Sequence, residues 1–330
     1  LGIPFPEEYG GSDMDTLAYI QTVEELSKYC ATTAVIVSAH TSLCCTPIYT
    51  FGSEEQKQKY LPKLCSGEWL GAFALTEPNA GTDASGQKTV AVDKGDHWVL
   101  NGSKIFITNA GAADVFFVLA MTDKSKGNRG ISAFIVEKGF KGFSIGKQED
   151  KMGIRASSTC ELVFEDCIVP KENLVGELGK GFKYAMATLD GGRIGIAAQA
   201  LGIAEGAIEE TVKYVQERKQ FGKRLSEFQN TQFELAQMRA NTEAAKLLVY
   251  QAACAKDDHE NFSCKAAMAK LVAARNASDV TRRCLQLYGG YGYTKDYPIE
   301  RMMRDAKITE IYEGTSEVQM MVISSWMGVK

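Results

Sequence analysis

The chain has 330 residues, 45% of them hydrophobic and 24% charged, and carries a formal net charge of −4. That length suits about two domains with a large buried core, and the absence of a long basic run argues against a nucleic-acid partner. The longest apolar runs, such as Val115–Met121, are too short to span a membrane and read as buried strands.

From Asp15 to Cys65 the pattern is helical, rich in Ala, Leu, Glu and Lys, with breaks near Thr46-Pro47 and Phe51-Gly52. Glu54 to Leu64 fits a short amphipathic helix with Ser53 as its N-cap. From Trp69 to about Pro170 the pattern becomes β. Trp98–Leu100 and Ile105–Ile107 flank Asn101-Gly102, the strongest short hairpin signal because both turn positions favour positive φ. Val115–Met121, Ile131–Val136 and Glu161–Phe164 read as further strands. No helices alternate with them, so an antiparallel sandwich or barrel is favoured over a parallel sheet.

Beyond Gly176-Glu-Leu-Gly-Lys-Gly181 the helical period returns. Phe233, Ala236, Ala240, Ala244 and Leu247 predict one apolar helix face, and Cys264–Leu287 a second long helix. Gly289-Gly290-Tyr291-Gly292 ends that helix, and Ser316-Glu-Val-Gln319 satisfies a capping box for the last one. The expected fold is α+β and multidomain: N-terminal helices over 1–68, a middle β-barrel or sandwich over 69–176, and a C-terminal helical bundle over 177–330. The chain opens at Leu1, with no methionine and no signal-peptide profile, and reads as trimmed at its start.

Nine scattered cysteines form no C-x-x-C pair and make a poor disulfide framework, which points to a reducing compartment. The three histidines, His40, His97 and His259, fit no metal spacing, so no metal site is expected. The Rossmann glycine fingerprint, the P-loop and the nucleophile-elbow motif are all missing.

Three loops invite a ligand. Leu75-Thr-Glu-Pro-Asn-Ala-Gly-Thr-Asp83 follows a strand and offers hydroxyls that can meet polar atoms of a ring or phosphate. The three glycines within Gln286–Tyr293 permit close approach to the backbone. In Ile311-Tyr-Glu-Gly-Thr-Ser316, Glu313 lies between apolar residues and a glycine, where partial withdrawal from water would raise its pKa toward the range of a base. Arg218-Lys-Gln-Phe-Gly-Lys223 could hold a pyrophosphate, and Asp190-Gly-Gly-Arg193 could form an internal ion pair. Taken singly, these segments are more often a surface turn, a helix cap, a solvated helix end and a solvated glutamate.

Taken together and in order, the segments resemble the acyl-CoA dehydrogenase family, over essentially the whole chain. The strings are Ala74-Leu-Thr-Glu-Pro-Asn-Ala-Gly-Thr-Asp83, Asn101-Gly-Ser-Lys-Ile-Phe-Ile-Thr-Asn109, Leu189-Asp-Gly-Gly-Arg-Ile194, Glu217-Arg-Lys-Gln-Phe-Gly222 and Arg304-Asp-Ala-Lys-Ile-Thr-Glu-Ile-Tyr-Glu-Gly-Thr-Ser-Glu317. Within the family the chain is similar to the short-chain, butyryl-CoA-type enzymes of bacteria.

The resemblance implies an N-terminal helical domain, a β-barrel-like middle domain and a C-terminal four-helix bundle. It also implies FAD, a homotetramer built as a dimer of dimers, electron exchange with an electron-transfer flavoprotein, and α,β-dehydrogenation of a short-chain acyl-CoA such as butyryl-CoA. By the same resemblance Phe73, Leu75, Thr76, Gly81 and Thr82 line the flavin, while Phe106, Ile107 and Thr108 cover it. Arg218, Phe221, Gln229, Gln286, Gly289 and Gly290 hold the adenine dinucleotide half across a subunit interface, and Thr315 and Glu317 close that side. Thr82, Asp190, Arg193, Tyr312 and Gly314 contact the acyl-CoA, and Glu313 takes the α proton. Gly192 stands where isovaleryl- and long-chain-type members carry their glutamate base, which leaves Glu313 without a rival there. Phe106 stands where many members have tryptophan, and members begin with another helix or two before the position of Leu1. The cytoplasm of a bacterium, or the mitochondrial matrix of a eukaryote, is the implied location. The same residues would serve an enoyl-CoA reductase running in reverse. An acyl-CoA oxidase and a non-catalytic flavoprotein subunit are the remaining readings.

Overall fold

The structure is a computed structural model and describes residues 1–329. The chain divides into two compact units. The first comprises Leu1–Asp15, Ile36–Asp150 and Ala156–Gly192; the second comprises Thr16–Val35, Lys151–Arg155 and Arg193–Lys330.

The helical elements of the N-terminal region are α1 (Thr16–Tyr29), α2 (Ala31–Ser38), a π turn (Ala39–Cys45), α3 (Thr46–Phe51) and α4 (Glu54–Ser66). As expected, Ser53 caps α4, accepting from the Gln56 amide at 3.2 Å while the Gln56 side chain accepts from the Ser53 amide at 3.1 Å. The stretch Ala31–Phe51, which the sequence reading passed over, is long and apolar enough to cross a membrane by length and composition alone. It is 67% buried over its most apolar window, as a core helix would be.

In the first unit, β1 (Gly71–Ala74), β2 (Val90–Asp93), β3 (His97–Thr108), β4 (Val115–Met121), β5 (Ile131–Glu137), β6 (Phe143–Gln148), β7 (Thr159–Pro170) and β8 (Leu174–Val175) form one sheet. Its order is β6-β7-β3-β2-β4-β5-β8, with β1 parallel to β4. The short β2–β4 pairing is also parallel and the other pairings are antiparallel. Strand β4 is buried on both faces. Val115, Phe117, Leu119 and Met121 join Ile48, Tyr60, Leu61 and Leu64 in one core, while Phe116, Val118 and Ala120 join Trp98, Leu100, Phe134 and Phe164 in another. Period-two alternation therefore gives two apolar sets rather than apolar and polar ones. Full burial of one such side chain is worth about 1.5–3 kcal/mol.

The expected hairpin at Asn101-Gly102 is not formed. Strand β3 runs unbroken through it, and the register against β7 shifts between Leu100 and Gly102. Asn101 instead exchanges hydrogen bonds with Asp166, donating from Nδ2 at 3.0 Å and accepting the Asp166 amide at 2.8 Å. The dipeptide thus lies opposite a bulge whose extra residue is on β7, between Phe164 and Cys167, where Asp166 has φ 48°. The hairpin turn lies earlier, at Lys94–Asp96, with Gly95 at φ 96°.

The second unit contains α1, the greater part of α5 (Gly181–Glu217), α6 (Gln229–Asp257), α7 (Ser263–Tyr288), α8 (Ile299–Lys307) and α9 (Ser316–Trp326), with a small hairpin, β9 (Lys219–Gln220) and β10 (Lys223–Arg224). The sequence placed the inner face of α6 on the wrong side. Phe233 and Leu247 are 62% and 72% exposed, whereas Thr231, Met238, Thr242, Ala245 and Val249 are buried. The small inner residues allow α6 and α7 to lie close, and Thr242 satisfies its hydroxyl at the Met238 carbonyl, 2.8 Å away. At α9 the cap is Thr315, not Ser316: its side chain accepts from the Val318 amide, and Gln319 is used elsewhere.

Candidate active site

The residues expected to bind ligand are divided between the two units. In the first unit all of them but Asp190 sit at the end of β1, in the loop that follows it and on β3. Strand β1 is anchored through His40, whose Nδ1 accepts the Gly71 amide at 2.9 Å while its Nε2 lies 3.0 Å from the Leu64 carbonyl. Burial lowers the pKa of this histidine to about 4, so the ring is neutral at pH 7.

The loop after β1 closes on itself through paired backbone bonds between Glu77 and Ala80. It is tied to β3 by the Ile105 amide, which donates to the Thr76 carbonyl at 2.9 Å. Thr76 therefore lies beside β3, and Thr82 is exposed further along the same loop. Leu75 and Ile107 point into the two cores, and Phe73 stacks on Phe117 at 6.0 Å, so these three could offer a ligand little beyond backbone and edge atoms. Phe106 does the opposite. A second register shift against β7, between Lys104 and Ile107, places it at φ 57° with its ring 60% exposed. A positive φ in a bulky residue is strained, and strain of this kind gathers at functional sites. Gly81 is exposed and a Cβ there would meet nothing within 4 Å.

Sequence reasoning gave no role to the groups that hold this loop. Lys104 is fully buried, and its Nζ donates to the Leu75 carbonyl at 3.0 Å, to Glu77 Oε1 at 2.8 Å and to Gln87 Oε1 at 2.9 Å. Glu77 also accepts the Lys88 and Thr89 amides at 2.6 and 3.0 Å. Burial works against its charge, but the Lys104 ammonium and these donors hold it below the usual carboxylate range. The available signal was phase: Lys104 shares the strand face of Leu100, so it falls where an apolar residue is expected.

In the second unit, Glu313 and Gly314 have φ of 54° and 95°, a reversal that leads directly into the cap of α9. A Cβ on Gly314 would both violate that φ and approach Gln319 Nε2 to 2.8 Å. Glu313 Oε2 is buried with no hydrogen-bond partner among the described residues. Burial raises the carboxyl pKa to about 7, opposed by the charges of Lys270 and Arg193. The backbone of the reversal is held from below. Lys270 Nζ donates to the Gly314 carbonyl at 2.6 Å, and Gln319 Nε2 donates to the same oxygen at 2.8 Å. Lys270 was not singled out from the sequence, and Gln319 was read only as the last residue of a capping box. Lys270 lies on the helical stripe of Ala266, Ala267, Ala273, Ala274 and Ala277, where a lysine is out of place.

Arg193 is 6% exposed, and Tyr312 donates its hydroxyl hydrogen to Gln199 while packing against a cluster of Val35, Ile154 and Ile196. Thr315 and Glu317 line an open cleft of about 240 Å³ together with Arg275 and Lys307. Further along the unit, the Arg218 guanidinium lies 5.1 Å from the centre of the Tyr291 ring, beside Gly289 and Gly290, where added Cβ atoms would meet open space. Phe221 is 93% exposed at φ 54°. Gln229 and Gln286 are exposed near the start of α6 and the end of α7. Asp190 belongs to the first unit, on the N-terminal part of α5.

Family models for the acyl-CoA dehydrogenase N-terminal, middle and C-terminal domains match residues 1–68, 72–167 and 179–328. The chain is 66% identical over 324 residues to the short-chain specific acyl-CoA dehydrogenase of Clostridium acetobutylicum, covering 98% of this chain and 86% of that protein. It superposes on butyryl-CoA dehydrogenase from Megasphaera elsdenii with a TM-score of 0.97 at 58% identity, over 99% of this chain and 86% of that one. A chain in the structure of the electron transferring flavoprotein of Acidaminococcus fermentans, a study of flavin-based electron bifurcation, matches with a TM-score of 0.98 at 61% identity over the same shares.

Proposed function

The chain belongs to the acyl-CoA dehydrogenase family, and from that premise we propose that it oxidises a short-chain acyl-CoA, butyryl-CoA above all, at the Cα–Cβ bond with Glu313 as the base. The observation that carries this reading is the Glu313 carboxyl itself: a buried, unpartnered oxygen on a left-handed loop, with a pKa raised to about 7. A base poised there is ionised in about half of the molecules at neutral pH and still holds a proton well, as abstraction from a weakly acidic thioester α-carbon requires.

The residues present fit flavin adenine dinucleotide. Exposed Phe106 with Thr108, Thr76, Gly81 and Thr82 offers an aromatic surface, hydroxyls and open backbone for the ring and ribityl chain, with Phe73, Leu75 and Ile107 behind them. Arg218, Phe221, Gln229, Gln286, Gly289 and Gly290 would hold the adenine dinucleotide half, with Thr315 and Glu317. When bound, the flavin supplies a hydride acceptor for the β-hydrogen. Glu313 takes the α proton onto its carboxylate, and its backbone N–H polarises the thioester carbonyl as negative charge develops there. Thr82, Asp190, Arg193, Tyr312 and Gly314 position the acyl-CoA. Because the Tyr312 hydroxyl is engaged by Gln199, its ring would serve as an apolar wall. The same residues serve the reverse reaction, so the net direction follows from the electron partner.

The domain partition 1–68, 69–176 and 177–330, exchange of electrons with an electron-transfer flavoprotein, and assembly into a homotetramer belong to the same proposal. Assembly is supported by the exposed apolar stripe of α6. A bacterial cytoplasm or a mitochondrial matrix suits the nine cysteines, none of which is paired.

The test is anaerobic addition of butyryl-CoA to the FAD-loaded protein while the visible flavin band is followed. Prompt bleaching is expected, and Glu313→Gln should bleach roughly 10³-fold more slowly with ligand binding retained. A wild-type protein that binds FAD and does not bleach with any short acyl-CoA overturns the reading.

A further inference from the structure

We infer that Lys270 is the positioning residue of this site: its ammonium clamps the Gly314 carbonyl and sets the proton affinity of Glu313. The inference deepens the reading of Glu313 as the base and rests on it.

Lysine is the residue least expected on the inner stripe of α7. Placing its ammonium there removes it from water, which disfavours the charged form unless specific partners receive it. Burial does lower its pKa, to about 8, with Arg193 acting in the same direction and Glu313, Glu310 and Glu317 opposing. Its ammonium donates to the backbone of the loop that carries Glu313, at the Gly314 carbonyl 2.6 Å away. A stability role alone would be served as well by an apolar side chain of similar length.

Two effects follow from this geometry. The bond to the Gly314 carbonyl, reinforced by Gln319 at 2.8 Å, fixes the peptide between Gly314 and Thr315 and so the end of the left-handed turn on which the Glu313 carboxyl is mounted. The second effect is electrostatic. Glu313 Oε2 has no hydrogen-bond partner of its own, so its proton affinity is governed by burial and by the charges near it. Those charges are Lys270 and Arg193, and they oppose the upward push of burial. With the ammonium removed, burial acts against Arg193 alone, and the carboxyl would stay protonated through neutral pH, where it cannot act as a base.

The test compares wild-type holoenzyme with Lys270→Met and Lys270→Arg, reading the protonated-carboxyl infrared band of Glu313 as a function of pH; the band is assigned by its loss in Glu313→Gln. Lys270→Met should move the midpoint upward by about one pH unit or more, while Lys270→Arg, which keeps the charge, should stay near wild type. A Lys270→Met midpoint equal to wild type overturns the inference. Should Lys270→Met fail to fold, the same coupling is read from the other side, because the interaction is reciprocal. In Glu313→Gln, the Lys270 ammonium, followed by NMR of labelled lysine, should titrate at lower pH than in wild type, and an unchanged midpoint overturns the inference. Neither readout needs turnover, so loss of the coupling is distinguishable from a failure of the dehydrogenase reading, which would show as absent flavin bleaching in the wild type.

Discussion

Lys104 Nζ and Glu77 Oε1 lie 2.8 Å apart, with the lysine side chain fully buried and the glutamate side chain 6% exposed. Lys104 sits on β3 and Glu77 in the loop after β1, so the pair fastens the loop bearing Thr76, Gly81 and Thr82 to the strand bearing Phe106 and Thr108. Removing one partner leaves the other as an uncompensated buried charge, which typically costs roughly 3–5 kcal/mol. Lys104→Met should therefore destabilise the protein by about 3 kcal/mol and release FAD more readily, whereas the double variant Lys104→Met/Glu77→Leu should recover much of the stability. Urea unfolding and the fraction of FAD retained on dialysis check both, and additive losses in the double variant would show that the two residues act independently.

Glu313 makes stability depend on pH. Its folded pKa, about 7, lies above its ordinary value of 4.5, so the folded state binds this proton more tightly than the unfolded chain does. The contribution to stability is complete below about pH 4.5 and is lost as pH rises through about 7. Glu313→Gln cannot titrate and escapes that loss. Between pH 5 and pH 8 the stability difference should move in favour of the glutamine variant by roughly 2–3 kcal/mol. Denaturant unfolding of both proteins at the two pH values measures it, and a difference that stays constant would show that the carboxyl is not perturbed.

The helices and the succession of helical and β regions were legible because each is encoded locally, as in the cap at Ser53 and the apolar run at Val115–Met121; the role proposed for Glu313 came instead from the resemblance of the string around it, since a lone Glu-Gly pair more often marks a solvated loop. What the sequence misplaced depends on what lies opposite. Asn101-Gly102 carries the chemistry of a turn, yet it stays in strand β3, tied by Asn101 to Asp166 in a bulge of β7 across the sheet. The stripe Phe233, Ala236, Ala240, Ala244 and Leu247 has the apolar period of a core face, but α6 buries the side with Thr242 and Ala245, where small residues and satisfied hydroxyls allow close packing. Lys104 and Lys270 escaped notice because charged residues are ordinarily assigned to the surface. Each stands at an apolar phase of its strand or helix, and only the three-dimensional neighbours, Glu77 and the Gly314 carbonyl, explain the charge there.

Arg218 lies at the junction of α5 and the small β9–β10 hairpin, its guanidinium 5.1 Å from the Tyr291 ring centre and close to two glycines that leave open space. A planar cation supported by an aromatic face presents its donors in a fixed fork suited to a phosphate. Arg218→Ala should weaken FAD retention by about tenfold or more, since a charge-assisted hydrogen bond is worth roughly 1.5–3 kcal/mol. The flavin reduction rate of the fraction that stays loaded should change little. Equilibrium dialysis gives the first quantity and stopped-flow bleaching the second; an unchanged FAD affinity together with a slowed reduction would reverse the assignment.

Phe233 and Leu247 stand four turns apart on the outer face of α6, both largely exposed, with Ala236, Ala240 and Ala244 between them. A continuous apolar stripe flanked by small residues is the shape of a helix-packing seam, and on a lone chain it would remain in water. If copies of the chain cover it, a charge placed there must be desolvated without a partner, at a cost of several kcal/mol per site. Leu247→Glu should then shift the protein from a tetramer to smaller species, with far-UV circular dichroism preserved because the inner face of α6 is untouched. Light scattering at several protein concentrations decides it. A tetramer of unchanged mass and stability in the glutamate variant would place the assembly interface on another face.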